Sequence, residues 1–244
     1  MAAAYLPRDA VYQVSQISQP DLTQAIETEC TRLGLIIQPD ALPGLAAYAA
    51  SLWEWNDKLN LTRHTDVERF VSRDVADALA IAPHLAIGEH VLDVGTGGGV
   101  PGVILAILRP DLRVELADSV AKRAAAVRGI VAQIGLAIPV YTGAAQQFVA
   151  KNATGKARFD TLVVRAVAPL LKLLEWFEPL CAAYGRMLIV KGPRWEQEKG
   201  ESRHHGFVKH VTVRRIACWP IRGSDNESVL LEVRQRPARS DAVV

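Results

Sequence analysis

The chain has 244 residues, of which 50% are hydrophobic and 22% are charged, and this composition predicts a globular protein with one sizeable core rather than a disordered one. Its net charge of +2 is too small to indicate nucleic-acid binding by itself, so a basic surface would require local clustering. Three widely spaced cysteines without a CxxC pair give little support to a metal or redox site, and no apolar run reaches the roughly 18 residues of a membrane span. We therefore expect a soluble cytoplasmic protein that acts as a monomer.

The first part of the chain, over residues 21–84, predicts a helical cap. Residues 1–20 are polar, show neither a helical pattern nor that of a signal peptide, and are expected to be disordered. A first helix is predicted over residues 21–34. A second is indicated by apolar residues at three- and four-residue steps, which form one face of an amphipathic helix: Leu45, Tyr48, Leu52, Trp55 and Leu59. Thr65 and Glu68 fit a capping box that begins a third helix.

The following residues, 85–236, predict an α/β domain. Short apolar runs predict strands at 90–94, 113–117, 139–142, 159–164 and 186–190. Helical segments lie between them, at 103–108, 121–134 and 169–183. This alternation favours a mostly parallel, doubly wound, Rossmann-like sheet with right-handed crossovers. Two further alternating runs, 208–217 and 228–234, predict a C-terminal antiparallel hairpin, and residues 237–244 form a tail.

A glycine-rich loop gives the strongest functional signal. Residues 93–102 read DVGTGGGVPG and lie between the first predicted strand and a helix. Glycine lets a ligand approach the backbone closely, and the start of a helix offers free N–H groups. Two patterns fit: the dinucleotide fingerprint GxGxxG from Gly97 to Gly102, and DxGxGxG from Asp93 to Gly99, which is found in Rossmann-like methyltransferases. An ordinary glycine-rich turn is the structural alternative.

Asp118 ends the second predicted strand. A carboxylate at this point can accept hydrogen bonds from both ribose hydroxyls of a cofactor. NAD and S-adenosylmethionine both carry those hydroxyls, so Asp118 does not separate the two cofactors, and it could also be the N-cap of the next helix. The predicted hairpin favours the methyltransferase, because the sheet of that enzyme class typically ends in a reversed strand.

A series of short motifs follows in order over about residues 40–235. They are Trp55-Asn56, Asn60-Leu61-Thr62, Arg73, Asp77, the glycine-rich loop, Leu108-Arg109-Pro110, Asp118-Ser119, Lys122-Arg123, Arg165-Ala166-Val167-Ala168 and Lys191-Gly192. In this order they resemble the bacterial glucose-inhibited division protein B family, the 16S ribosomal RNA guanine-N7 methyltransferases. The resemblance implies a class I methyltransferase fold, S-adenosylmethionine as the cofactor, and 16S ribosomal RNA or the small ribosomal subunit as the partner.

The resemblance also implies contacts with the cofactor. It places them at Gly95 and Val100 in the loop, at Ala145 and Gln146 after the third strand, where backbone N–H groups would meet the adenine, and at Arg165 after the fourth strand. Together with the loop and the ribose acceptor, the predicted cofactor-binding residues are Asp93, Gly95, Gly97, Gly99, Val100, Asp118, Ala145, Gln146 and Arg165.

The chain departs from the family pattern in three places. Asp74 stands where the family has the histidine of an Arg-His pair. The run Gly-Ala-Ala-Gln-Gln over residues 143–147, with Ala144, replaces Gly-Arg-Ala-Glu-Glu, and Val164 replaces a serine. These positions border the predicted cofactor and substrate. A divergent methyltransferase with another substrate, a non-catalytic RNA-binding relative and an NAD enzyme are therefore the alternatives.

The sequence contains no motif for a general base or a nucleophile, and we predict no catalytic residue. The Asp/Asn-Pro-Pro-aromatic motif of exocyclic-amine methylation is missing, as is the Pro-Cys of cytosine C5 methylation; Cys181 follows a leucine. Guanine N7 is an unprotonated ring acceptor. Its methylation needs positioning rather than deprotonation, which agrees with these absences.

Two stretches could contact RNA. Residues 186–215 contain eight Lys or Arg residues against three Glu, with Trp195 and Phe207 as candidates for stacking on bases. Within this stretch the predicted substrate-binding residues are Lys191, Arg194, Lys199 and Arg203. The alternative is a solvated charged loop. A second basic edge on the helical cap is formed by Arg63, His64, Arg69 and Arg73, and it is diluted by Asp66, Glu68 and Asp74.

Overall fold

A computed structural model of the protein describes residues 18–151 and 159–236. Disorder was predicted for residues 1–20. Of these, residues 1–17 lie outside this part of the chain, as does the predicted tail at 237–244. The prediction is wrong for Gln19 and Pro20, because they lie in the first helix, which Ser18 caps. Within the described residues, no helix is both long and apolar enough to cross a membrane. Nor do these residues bring together three or more His, Cys, Asp or Glu side chains in a way that could hold a metal ion.

The secondary structure alternates in the predicted way. The helices are α1 (Gln19–Arg32), α2 (Leu42–Leu59), α3 (a continuous run of α-helix Val67–Arg69, π-helix Phe70–Val75 and α-helix Ala76–Ile81), α4 (Gly102–Leu108), α5 (Ala121–Gln133), α6 (Ala145–Lys151), α7 (Leu170–Phe177) and α8 (Trp195–His204). The strands are β1 (His90–Val94), β2 (Arg113–Asp118), β3 (Val140–Thr142), β4 (Phe159–Arg165), β5 (Tyr184–Lys191), β6 (Val211–Pro220) and β7 (Glu227–Gln235). Short 3-10 segments lie at Pro39–Ala41, Ala82–His84, Glu178–Ala183 and Phe207–Lys209.

The seven strands form one sheet in the order β3-β2-β1-β4-β5-β7-β6. The first five are parallel to one another, whereas β7 is antiparallel to both β5 and β6. This confirms the predicted parallel sheet with a C-terminal hairpin. The direction of the strand order reverses between β1 and β4. Open α/β sheets bind ligands at such a point, outside the carboxyl ends of the strands.

The hydrophobic core consists of two clusters, one on each face of the sheet. Because successive side chains of a strand point to opposite faces, Val91 of β1 belongs to the first cluster and Leu92 to the second. The first cluster also contains Leu22 of α1, Leu45 of α2 and Phe70 of α3. The helical cap therefore shares its core with the sheet, and the division of the chain into a cap and a catalytic domain stays a prediction.

The main differences from the predicted elements lie in polar segments. Asp66, not Thr65, caps α3: its carboxylate accepts a hydrogen bond from the Arg69 N–H at 2.7 Å. The helices α6 and α8 were not predicted, because both lack a clear apolar period; α8 has one buried residue, Ser202. The π-helical part of α3 was not predicted either, and it buries Asp74 beside the apolar Phe70.

Candidate functional site

The glycine-rich loop connects β1 to α4 at the carboxyl end of the sheet. Gly95, Gly97 and Gly99 have φ angles of 69°, 60° and 110°, a region of backbone conformation that favours glycine. The N–H groups of Gly95 and Thr96 both donate to the carbonyl oxygen of Ala117 in β2, at 2.8 and 3.0 Å. The loop is therefore folded tightly over the end of β2.

Asp93 holds the loop from beneath. Its carboxylate is fully buried, and Oδ2 accepts hydrogen bonds from the Thr96 hydroxyl at 2.6 Å and the Gly102 N–H at 2.9 Å. Burial raises the pKa of Asp93 to about 6, although these hydrogen bonds and the charge of Arg165 act against the rise. All of its described hydrogen bonds are to the loop, so this residue supports the loop, and direct contact with a cofactor stays a prediction.

Asp118 lies beside the loop at the end of β2 and is 4% exposed. Its Oδ2 accepts from the Gly97 N–H at 2.9 Å and its Oδ1 from the Val120 N–H at 2.8 Å. Val120, not Asp118, is the N-cap of α5, so the N-cap alternative is wrong. Each carboxylate oxygen has a second lone pair. Asp118 can therefore hold the loop and still accept hydrogen bonds from two ribose hydroxyls.

Ala145 and Gln146 form the first turn of α6, directly after β3. The N–H of nearby Gly143 donates to the Asp118 carbonyl oxygen at 2.9 Å, which fixes this turn next to the end of β2. The first N–H groups of a helix have no acceptor within the helix. They are suited to a ligand with ring-nitrogen acceptors.

The open face of the loop is at Gly97. A Cβ added there would have Gly95 O, at 4.0 Å, as its nearest neighbour. The glycines on either side are closed by packing: a Cβ at Gly95 would lie 2.6 Å from Val167, and one at Gly99 would lie 2.8 Å from Val103. Bare backbone, the Asp118 carboxylate and the N-terminus of α6 thus meet at one place. These residues fit S-adenosylmethionine, with its ribose hydroxyls and adenine nitrogens.

Arg165 is directed towards the helical cap. Its Nη2 lies 2.6 Å from Asp74 Oδ1 and its Nε 3.1 Å from Asp77 Oδ2, and both carboxylates are buried. Asp74 also contacts His64 Nδ1 at 2.8 Å, and Asp77 accepts from Trp219 Nε1 at 3.0 Å. Burial raises the pKa of Asp77, although the charge of Arg165 opposes this. Arg165 therefore joins β4 to α3, and its contact with a cofactor stays a prediction.

The predicted RNA-binding residues are placed differently from one another. Arg194 and Arg203 are exposed, and Lys199 Nζ lies 5.7 Å from the centre of the Trp195 ring. Lys191 is largely buried: its Nζ donates to Ala168 O and pairs with Glu198, both at 2.7 Å. This placement argues against Lys191 as a phosphate contact.

Two other residues of the basic stretch also differ from expectation. Arg186 lies near the amino end of β5, where it pairs with Glu89 and Glu232 and donates to the carbonyl oxygen of His84, so it is not part of the same surface. Trp195 packs on the second core cluster. The guanidinium of Arg215 lies 5.9 Å from the centre of the Trp195 ring, in addition to Lys199. Trp195 is therefore less free to stack on a base than the sequence suggested.

The cluster of Arg165, Asp74, Asp77 and His64 was not predicted from the sequence. The sequence did contain one indication of it. Asp74 stands where the family has a histidine, and an acid at that position implies partners of the opposite charge. In the structure His64 supplies an imidazole to this carboxylate from the segment before α3.

Comparisons with known proteins identify the family of the chain. The model of a family described as rRNA small subunit methyltransferase G (GidB) matches residues 41–223. The ribosomal RNA small subunit methyltransferase G of Rhodopirellula baltica is 41% identical over 216 residues, which are 88% of this chain and 91% of the relative. That of Roseiflexus sp. (strain RS-1) is 36% identical over 173 residues, 70% of this chain and 73% of the relative.

Solved structures with the same fold include methyltransferases. The O-methyltransferase from Bacillus cereus in complex with SAH has a TM-score of 0.53 at 15% identity, and the match covers 77% of this chain and 90% of that one. TrmK from M. capricolum in complex with S-adenosyl-homocysteine has a TM-score of 0.51 at 13% identity, with 66% and 68% covered. At these identities the likeness concerns the fold alone, and it confirms the class I methyltransferase architecture.

Proposed function

The chain belongs to the GidB family, rRNA small subunit methyltransferase G, and we propose that it transfers a methyl group from S-adenosylmethionine to N7 of a guanine in 16S ribosomal RNA. The observation that carries the proposal is the glycine-rich loop at the reversal of strand order, with Asp118 hydrogen-bonded to Gly97. The family membership favours S-adenosylmethionine over NAD, which the loop and Asp118 alone do not separate.

The cofactor would be held by groups of three neighbouring segments. Gly97 leaves the backbone bare for close approach. The Asp118 carboxylate would accept the ribose hydroxyls, and the N–H groups of Ala145 and Gln146, in the first turn of α6, would bind the adenine. When bound, S-adenosylmethionine supplies an electrophilic methyl group on a positively charged sulfur. Asp93 and Arg165 support this site from below and from the side of the cap.

Guanine N7 is the target that these residues serve best. Asp93 is fully buried beneath the loop and binds it through Oδ2, and Asp118 binds the Gly97 and Val120 N–H groups. The Tyr48 hydroxyl donates to Gly98 O, and burial raises its pKa well above 10. None of them is placed as a general base. N7 needs none, because its lone pair is unprotonated, and the protein contributes positioning.

For the RNA we propose contacts on α8 and a cytoplasmic monomer as the active species. Arg194, Lys199 and Arg203 lie on or next to one exposed helix. Neutralising Arg194 and Lys199 together should weaken RNA binding and lower its salt dependence by roughly one log-log unit for each phosphate that is no longer bound. The affinity for S-adenosylmethionine should stay the same, because these residues serve the other ligand.

The test is methyl transfer from labelled S-adenosylmethionine to purified small ribosomal subunits, followed by strand cleavage specific for N7-methylated guanine. We expect label at a guanine and cleavage at that position. Label on cytosine, adenine or protein alone would contradict the substrate assignment and favour a divergent methyltransferase. Binding of RNA and cofactor without any transfer would favour a non-catalytic relative.

A further inference from the structure

A basic pocket lies on the helical cap, between the segment before α3, α3 itself and the turn between β6 and β7. Its volume is about 380 Å³, and its lining includes Arg63, His64, Glu68, Arg69, Arg73 and Arg222. Its lining contains none of the predicted cofactor residues and no residue of α8. The sequence does not show that this turn packs against α3. It therefore predicted only a basic edge on the cap, with acidic residues among the basic ones, and not a pocket.

The arginines of the pocket are not all neutralised. Arg222 pairs with Glu68 at 3.2 Å and with Glu29 at 3.0 Å, so the carboxylate of Glu68 is already bound. Arg69 Nε lies 3.6 Å from Asp66, and both side chains are about half exposed. Arg63 and Arg73 form no ion pair with any residue of the described part of the chain. The pocket therefore keeps an excess of guanidinium groups, which match a phosphate in charge and geometry.

A short series of contacts connects the residues of the pocket to the cofactor loop and to the end of β4. The carbonyl oxygen of His64 accepts from Trp53 Nε1 at 2.8 Å, and the His64 ring contacts Asp74 at 2.8 Å. Asp74 in turn pairs with Arg165 at the end of β4. Leu61, three residues before His64, lies against the loop, since a Cβ at Gly98 would be 3.6 Å from Leu61 Cβ. A group bound in the pocket is thus held at the same edge of the sheet as the cofactor.

We propose that this pocket binds a backbone phosphate of the RNA strand that carries the target guanine. The proposal rests on the proposed function and adds a second contact surface to it. RNA offers phosphates at regular intervals along the strand, so a base presented to the loop carries a neighbouring phosphate with it. A phosphate clamp at a fixed distance from the loop positions that base, which is the contribution that N7 methylation requires.

The test uses the double variant Arg63→Gln/Arg69→Gln and a matched control, Arg113→Gln/Arg128→Gln. All four side chains are exposed. The control arginines do not line the pocket: Arg113 lies on β2, and Arg128 lies on α5, where it donates to the carbonyl oxygen of Val140. For the pocket variant we expect KM for small subunits to rise about tenfold with little change in kcat. The salt dependence of binding should fall by about one log-log unit, because one phosphate is no longer bound. The control and the affinity for S-adenosylmethionine should match the wild type.

Three outcomes have defined meanings. If the wild type methylates small subunits and both double variants behave alike, the pocket proposal is wrong while the proposed function stands. If the wild type binds cofactor but transfers no label to RNA, the proposed function fails. The last measurement is the binding of both variants to protein-free 16S ribosomal RNA. If the pocket variant binds subunits more weakly but binds free RNA normally, the pocket contacts a ribosomal protein rather than an RNA phosphate. That result would overturn the proposal.

Discussion

Replacing Gly97 by alanine should separate cofactor binding from folding. Gly97 has a φ of 60°, and an added Cβ would enter open space beside Asp118. Gly88, in the turn before β1, has a φ of 71° and likewise has nothing within 4 Å of an added Cβ. The left-handed conformation costs a residue other than glycine roughly 1–2 kcal/mol. Gly88→Ala is therefore a control with the same backbone strain and no ligand nearby.

The two alanine variants should lose similar stability and differ in ligand binding. A loss of roughly 1–2 kcal/mol corresponds to a decrease in Tm of about 2–8 °C for a chain of this size. A methyl group forced into a filled contact costs typically 1–3 kcal/mol, which for Gly97→Ala weakens the affinity for S-adenosylmethionine about 5- to 150-fold. Gly88→Ala should bind the cofactor as the wild type does.

Calorimetry measures both quantities, by titration with S-adenosylmethionine and by thermal scanning without it. The reasoning would be refuted if Gly97→Ala bound the cofactor with the wild-type dissociation constant while its Tm fell as far as that of Gly88→Ala. An equal loss of affinity in both variants would mean that strain, and not the inserted methyl group, is responsible.

Three further substitutions test the site. Asp118→Ala removes the acceptor for two ribose hydroxyls, and titration calorimetry should show an affinity for S-adenosylmethionine about 10- to 100-fold weaker. Asp93 has a folded pKa of about 6, above its unfolded value, so its ionisation costs about 3 kcal/mol of stability in total, most of it as the pH rises from about 4 to about 6. Asp93→Asn should escape this loss, so urea unfolding should show its stability relative to the wild type increasing across that window. Arg165→Met leaves Asp74 and Asp77 buried without their cation and should lower the free energy of unfolding by about 3–5 kcal/mol.

Each of these has an outcome that contradicts it. An unchanged dissociation constant for Asp118→Ala would leave that carboxylate with its loop contacts only. A stability difference between Asp93→Asn and the wild type that does not vary with pH would mean that Asp93 ionises normally when folded. A loss below about 1 kcal/mol for Arg165→Met would show that water compensates the two carboxylates.

The parts of the fold that follow from local pattern were predictable. β1 was predicted with its observed bounds, because a buried central strand is a short apolar run that ends at the glycines. The DxGxGxG pattern located the loop for a similar reason. Gly95, Gly97 and Gly99 each have a positive φ angle, which is a local property of the loop itself. The terminal hairpin followed from its two alternating runs.

The parts that depend on contacts between distant segments were not predictable. Arg165 was assigned to the cofactor site by resemblance, but its partners Asp74 and Asp77 lie in another element, and a π-helical segment presents the first of them. Lys191 looked like a free cation because its partner Glu198 lies on α8, a helix too polar to be predicted from periodicity. A sequence shows which residues are charged, but it does not show which of them are neutralised by an ion pair in the folded protein.

Loss of methylation in cells lacking this protein tests the central claim most directly. Nucleosides and fragments of 16S ribosomal RNA from such cells, analysed by mass spectrometry, should lack one 7-methylguanosine that is present in the parent. Re-expression of the wild type should restore it, and re-expression of Gly97→Ala at equal protein level and reduced S-adenosylmethionine supply should restore less. An unchanged set of modified nucleosides in 16S ribosomal RNA, or the loss of a methyl group at a base other than guanine, would contradict the account.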